Sequence, residues 1–259
     1  MPFYEYRGRQ VFYTAEGSGP PVILLHGNTA GGAMLRPLVP LYARCRTVIV
    51  PDLPGCGLSE RYAPWPADLW YDWGEAAECL RACLGFARTD VIGTSGGALA
   101  ALNLALEHPD SVGAVIMDSF EGLRADPDIT RTIFSGRESA KRSAGFREYM
   151  RRMHGDDWES VIDADTDAVA RHAAEIGAFF HRPLGELRVP LLATGSREDS
   201  MFPAGHYERL FEEMRGLSGM VRTHIFERGD HPAMLSSAEE FAFLAETFLA
   251  GHGIGTAGP

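Results

Sequence analysis

The 259-residue chain contains no apolar run approaching the roughly 18 residues of a standard membrane span, so a spanning helix is not expected. It is short of positive charge. Lys and Arg total 24 against 35 Asp and Glu, a formal net charge of −11 at pH 7, and neutralising nucleic-acid phosphates needs the opposite balance. Lysine occurs once, at Lys141. The four cysteines, Cys45, Cys56, Cys79 and Cys83, have neither disulfide-framework nor zinc-site spacing, and no metal or organic cofactor is expected. Cys79 and Cys83 fall four apart on a predicted helix and read as buried, reduced thiols. The first residues, Met-Pro-Phe-Tyr-Glu-Tyr-Arg, lack the basic stretch and apolar core of a secretory signal, which points to a cytoplasmic protein. No internal repeat is visible. What remains is a composition of 45% hydrophobic and 23% charged residues, sufficient for one large α/β domain.

One stretch organises the chain. Val91-Ile92-Gly93-Thr94-Ser95-Gly96-Gly97 is a short apolar run ending in Gly-x-Ser-x-Gly, and the apolar segment from Ala98 to Leu106 follows at once. The first run reads as a buried strand and the second as a buried helix. A reversal this tight puts Ser95 at the tip of the turn in an unfavourable backbone region, at the positive end of the helix. Gly93 and Gly97 let strand and helix pass close on either side.

Further strands are expected in a Phe3–Thr14 hairpin with Gly8 in its turn, and at Val22–Leu25, Thr47–Val50, Val112–Met117, Val189–Ala193 and Val221–Phe226. Helical patterns run to about Ala43, then over Asp68–Phe86, Tyr207–Leu217 and Ala238–Leu249. Alternating strands and helices imply a mainly parallel sheet. Phe120 to Leu187 breaks the rhythm and reads as a helical lid inserted where open α/β sheets bind ligands. The core would then comprise 1–119 and 188–250, with 120–187 the lid and 251–259 a flexible, glycine-rich tail.

A serine nucleophile needs an imidazole to take its proton and a carboxylate to fix the imidazole tautomer. Among nine histidines, His231 is best placed, in the Glu227–Pro232 loop after the Val221 strand. Asp199, after the Val189 strand, is the first choice for the acid; Glu198 beside it and Asp118 after the Val112 strand are alternatives. His26, His108, His154, His172 and His181 read as structural, surface or pocket-lining residues.

The order Ser95, Asp199, His231 is that of the α/β-hydrolases, and the chain resembles that superfamily over nearly its whole length. His26-Gly27-Asn28 is similar to its His-Gly oxyanion loop, and Pro51 to Ser59 to its Asp-x-Pro-Gly-x-Gly-x-Ser segment. The resemblance implies a mostly parallel eight-stranded sheet flanked by helices, with a lid after the sixth strand. It also implies oxyanion donors at the backbone N–H of Asn28 and Gly96, each contributing about 3 kcal/mol to the transition state. Cys56 stands where many members have histidine. Gly96 replaces a residue that is often larger, giving either more room or relief from crowding. Asp52, in a Pro-Gly turn, reads as a cap.

Lid residues 137–152 are rich in arginine and 156–167 in acids, and the plain reading is helical faces pairing with one another. Trp70, Phe134, Phe179 and Phe180 are candidate pocket walls. The expected activity is cleavage of a small carboxylic ester or related acyl compound through an acyl-enzyme. The alternatives are amide, lactone or C–C bond hydrolysis by the same residues, and a ligand receptor on the same fold. Haloalkane dehalogenase or epoxide hydrolase chemistry would require aspartate at position 95.

Overall fold

In the computed structural model, which describes residues 2–255, the N-terminal hairpin forms from β1 (Phe3–Tyr6) and β2 (Arg9–Gly17). Its Arg7-Gly8 turn has positive φ at both residues, 49° and 76°, matching the twist of the flanking strands. Tyr4 and Tyr6 alternate inward, and their hydroxyls donate to Ala76 O and to Asp72. β3 (Pro21–Leu25) is buried throughout, and β4 (Thr47–Pro51) nearly so. β5 (Thr89–Thr94), β6 (Val112–Asp118) and β7 (Leu191–Ser196) are wholly buried, and β8 (Val221–Phe226) closes the edge. The eight strands lie in the order β1-β2-β4-β3-β5-β6-β7-β8. β1–β2 and β2–β4 pair antiparallel, and the remaining five pairings are parallel.

The strands read as continuous apolar runs because helices cover both faces. Ile23, Leu25 and Val91 face one core layer, shared with α2 (Leu69–Cys83) and α3 (Gly96–Glu107). Val22, Leu24 and Ile92 face the other, shared with α9 (Ala238–His252) and with α1 (Val39–Tyr42). α3 is buried on all sides except at Glu107, as its sequence, apolar but for Asn103, predicts. Three helices, α4 (Pro127–Ala140), α5 (Ala144–His154) and α6 (Trp158–Glu175), occupy the interval between β6 and β7. α7 (His206–Leu217) follows β7, and the single turn α8 (Ala233–Ser236) precedes α9.

Three expectations need correction. The helical pattern ending near Ala43 is two 3₁₀ turns and the four-residue α1, because Pro37 and Pro40 lack the N–H groups a continuous helix requires. Cys79 is only half-buried and Cys83 is exposed, their sulfurs 4.0 Å apart; Cys56 alone is buried. The tail is tied down further than its glycines suggest. α9 runs to His252, and Ile254 N–H donates to the buried Asp90 carboxylate at 3.1 Å. Residues 256–259 of the expected flexible tail lie outside the described residues.

Candidate active site

Ser95 caps the N-terminus of α3 with φ 54° and ψ −125°, a left-handed region that a non-glycine residue enters only when its surroundings force it. A Cβ at Gly93 would collide with Gly97 O, and one at Gly97 with the carbonyls of Leu25 and His26. The two glycines therefore let β5, α3 and the end of β3 converge behind the serine. Ser95 N–H donates to Asp118 O at 2.8 Å, fastening the turn to the end of β6.

The 26–29 loop lies directly beside the turn. A Cβ at Gly27 would sit 2.8 Å from Ser95 Cβ. His26 is fully buried, and burial pushes its imidazole down to about 4, so it is neutral. Its Nδ1 donates to Gly27 O at 2.9 Å, and its Nε2 accepts from Leu53 N–H at 2.9 Å. The Asn28 carboxamide is oriented from two sides: Oδ1 accepts from Trp70 Nε1 at 2.9 Å, and Nδ2 donates to Asp165 Oδ2 at 2.8 Å. That carboxamide fills the space a Cβ on Gly96 would need. The absent side chain at position 96 thus relieves crowding rather than opening a pocket. The N–H of Gly96 belongs to the first turn of α3, which has no acceptor within its own helix.

On the neighbouring strand ends, His231 Nδ1 is 2.9 Å from Asp199 Oδ2, and the Asp199 side chain is 1% exposed. The same oxygen accepts from Tyr207 Oη at 2.7 Å, and Oδ1 accepts from Met201 N–H at 2.9 Å. Asp230 Oδ1 accepts from His231 N–H and from Ser200, fixing the loop that carries the imidazole. Glu198 is exposed. Asp118 is buried beneath the site, and burial raises its carboxyl to about 6. It accepts from Thr194 Oγ1, Thr94 Oγ1 and Met234 N–H, so it braces three chain segments rather than the imidazole. Asp199 and His231 thus meet directly. Among the described residues no hydrogen bond links Ser95 Oγ to His231, a contact that often tightens only with substrate bound.

The aromatic candidates divide. Trp70 and Phe179 pack edge-on at 4.9 Å, with His172 against both, and Phe180 lies against Phe179. Phe134 lines a separate groove of about 350 Å³ with Thr130, Arg131 and Ala170. Asp52 accepts from Gly32 N–H at 2.6 Å and Leu58 N–H at 2.7 Å, the bracing contacts of a loop cap. In the basic 137–152 stretch, Arg137 and Lys141 meet Asp165 and Asp163 of the acidic helix, whereas Arg151 and Arg152 pair locally with Glu148.

Two residues that the sequence reading does not single out, Tyr207 and Asp165, contact the candidate site: Tyr207 through Asp199 and Asp165 through Asn28. Asp165 had a signal: Ile162, Asp165, Ala168 and His172 share one buried face of α6, and a carboxylate on that face needs a partner. No group of three or more His, Cys, Asp or Glu residues among the described residues is arranged to hold a metal ion. No helix among them is long and apolar enough to cross a membrane.

A family model described as "Alpha/beta hydrolase family" matches residues 22–242. A pimeloyl-[acyl-carrier protein] methyl ester esterase of Neisseria meningitidis is 28% identical over 251 residues, covering 89% of this chain and 93% of its own. A 2-hydroxymuconate semialdehyde hydrolase of a Pseudomonas species is 26% identical over 263 residues, covering 90% and 88%. The solved structure of a thermophilic esterase from Thermogutta terrifontis superposes with a TM-score of 0.72 at 18% identity, over 96% of this chain and 97% of that one.

Proposed function

Because the chain belongs to the alpha/beta hydrolase family, we propose that it is a serine hydrolase cleaving a small carboxylic ester or related acyl compound through an acyl-enzyme. The observation that carries this is the strained Ser95 turn, set between the 26–29 loop and strand ends bearing the Asp199–His231 pair. Ser95 Oγ attacks the acyl carbon as its proton passes to His231 Nε2. The Asp199 carboxylate, held by Tyr207 and Met201, fixes the proton on Nδ1 and stabilises the imidazolium. The backbone N–H groups of Asn28 and Gly96 receive the oxyanion. His231 then returns its proton to the leaving alcohol, and water repeats the sequence in reverse to release the acid. Segment 120–187 serves as a lid that shapes access, with Trp70 and Phe179 in the wall nearest the oxyanion loop.

The similarity to the 2-hydroxymuconate semialdehyde hydrolase supports a second reading, in which the same residues hydrolyse a C–C bond next to a carbonyl. The test has two parts. A fluorophosphonate reagent should label Ser95 in the wild type and fail on Ser95→Ala, whose ester turnover should fall by about 10⁴-fold or more with the fold intact. A panel of p-nitrophenyl esters of graded acyl length, run beside a 2-hydroxy-6-oxohexa-2,4-dienoate, separates ester from C–C cleavage. A folded Ser95→Ala protein with near-normal turnover removes the mechanism. A wild type that neither labels nor turns over any of these compounds favours a receptor.

A further inference from the structure

The 26–29 loop is held from outside the core. Thr29, a β-branched residue, has φ 57°, a conformation its side chain disfavours, so the loop keeps this shape only while neighbours enforce it. Both of its backbone polar groups engage side chains from the interval between β6 and β7. Thr29 N–H donates to Asp165 Oδ2 of α6 at 3.2 Å, and Thr29 O accepts from His154 Nε2 of α5 at 3.1 Å. Asp165 Oδ2 also receives the Asn28 carboxamide. The His154 tautomer is fixed by its other nitrogen, since Nδ1 accepts from Gly57 N–H at 2.9 Å, and burial favours its neutral form. Both side chains are almost wholly buried, Asp165 at 0% and His154 at 3% exposure. Arg137 Nη1 stands 2.9 Å from Asp165 Oδ1 but hydrogen-bonds to Thr166 Oγ1, leaving the Asp165 hydrogen bonds directed at the loop. Arg61 fastens the end of α5 by donating to His154 O and to Asp157.

We propose that Asp165 and His154 are positioning residues that lock the 26–29 loop, so that the Asn28 N–H faces the oxyanion only while α5 and α6 are docked. This rests on the serine-hydrolase reading above, and it makes the lid part of the catalytic geometry as well as a gate. Neither residue touches substrate; both act through Thr29 and Asn28. Because the loop presents one oxyanion donor, loosening it weakens transition-state binding more than ground-state binding.

The test uses the full chain with two polar variants, of which Asp165→Asn preserves volume and His154→Asn is smaller than the imidazole it replaces. Asp165→Asn has a single acceptor oxygen, so it cannot serve both the two loop donors that Oδ2 takes and the Arg137 guanidinium beside Oδ1. His154→Asn can still accept from Gly57 N–H while losing reach to Thr29 O. On p-nitrophenyl acetate, each should lower kcat by about 10- to 100-fold, a fraction of what loss of an entire oxyanion donor costs, with KM within about twofold. Affinity for phenylboronic acid, whose tetrahedral serine adduct places an oxygen in the oxyanion hole, should fall in parallel. A purely structural role would not move it at temperatures where the variants are folded. Because both side chains hold one loop, the double variant should lose less than the product of the single losses. If both folded variants keep kcat within about threefold, or lose only KM, the lock is refuted while wild-type labelling and turnover leave the serine mechanism standing. If the wild type neither labels with a fluorophosphonate nor turns over ester, the underlying mechanism fails and the lock with it.

Discussion

At the scale of single residues, the acid of the proposed triad is the sharpest test. Asp199 accepts hydrogen bonds from Tyr207 and Met201 while facing His231 Nδ1, whereas the neighbouring Glu198 points to solvent. Asp199→Asn offers the imidazole an amide that favours the wrong tautomer, and kcat should fall by about 10³- to 10⁴-fold. Glu198→Gln should stay within about threefold, and the reverse ranking in side-by-side kinetics would move the acid back by one residue. Asp118 carries a separate expectation about pH. Burial raises its carboxyl from 3.8 to about 6, so between those values the folded protein holds a proton that the unfolded chain has released. Stability from this group is therefore full below pH 4 and lost as the pH rises through 6. Asp118→Asn lacks this slope. Its stability relative to wild type should improve by on the order of 3 kcal/mol between pH 4 and pH 7.5 in urea titrations. Parallel curves for the two proteins would show that Asp118 does not titrate in that window. The Ser95 turn and the His231 loop are visible in sequence because local motifs mark them. The tyrosine holding Asp199 is not, since nothing local to Tyr207 says that its hydroxyl meets a carboxylate eight positions back.

At the scale of elements, the alternation of buried strands and helices was legible because continuous apolar runs bounded by turn residues have few other uses. The errors fall where local pattern and backbone chemistry conflict. Residues 32–43 carry helical spacing, but Pro37 and Pro40 break the hydrogen-bond ladder. Composition gives the interval between β6 and β7 its helical character but not the contacts of Asp165 and His154 with Thr29, because those partners are 136 and 125 residues away. Its aromatic residues were grouped together, and the structure separates them. Phe179 packs on Trp70, which holds Asn28, so Phe179→Ala should re-order preference among acyl chain lengths. Phe134 lines the groove shared with Thr130 and Arg131, so Phe134→Ala should leave that order unchanged. Specificity profiles of the two variants over short and long p-nitrophenyl esters decide it, and equal shifts would mean that the two rings share one pocket.

At the scale of the whole molecule, the sheet is closed at its back by a charge network that no motif announces. Arg46 at the entry to β4 donates to Asp90 on β5 at 2.9 Å and to Glu246 on α9 at 2.8 Å, and the Arg46 and Asp90 side chains are 5% and 0% exposed. Asp90 also accepts from Ala114 N–H on β6 and from Ile254 N–H beyond α9. One carboxylate thus joins three strands to the C-terminal helix. These contacts span 24 to 200 residues of sequence, and each charged partner in isolation looks like an ordinary surface charge. Burial raises the Asp90 pKa even with these partners present, so the ion is held at a cost that the hydrogen bonds offset. Removing one partner should be severe. Arg46→Met leaves Asp90 buried without its cation and should cost about 3–5 kcal/mol, a fall in Tm on the order of 10 °C for a chain of this length. Adding Asp90→Asn removes the stranded charge, so the double variant should recover a substantial part of that loss. The network lies at the far side of the parallel sheet from the strand ends that carry Ser95, Asp199 and His231. Accordingly, kcat and KM measured well below either Tm should match the wild type. A single variant melting within about 2 °C of wild type would mean that the pair contributes nothing net. A double variant no better than the single would mean that Arg46 acts by packing its stem rather than by neutralising Asp90.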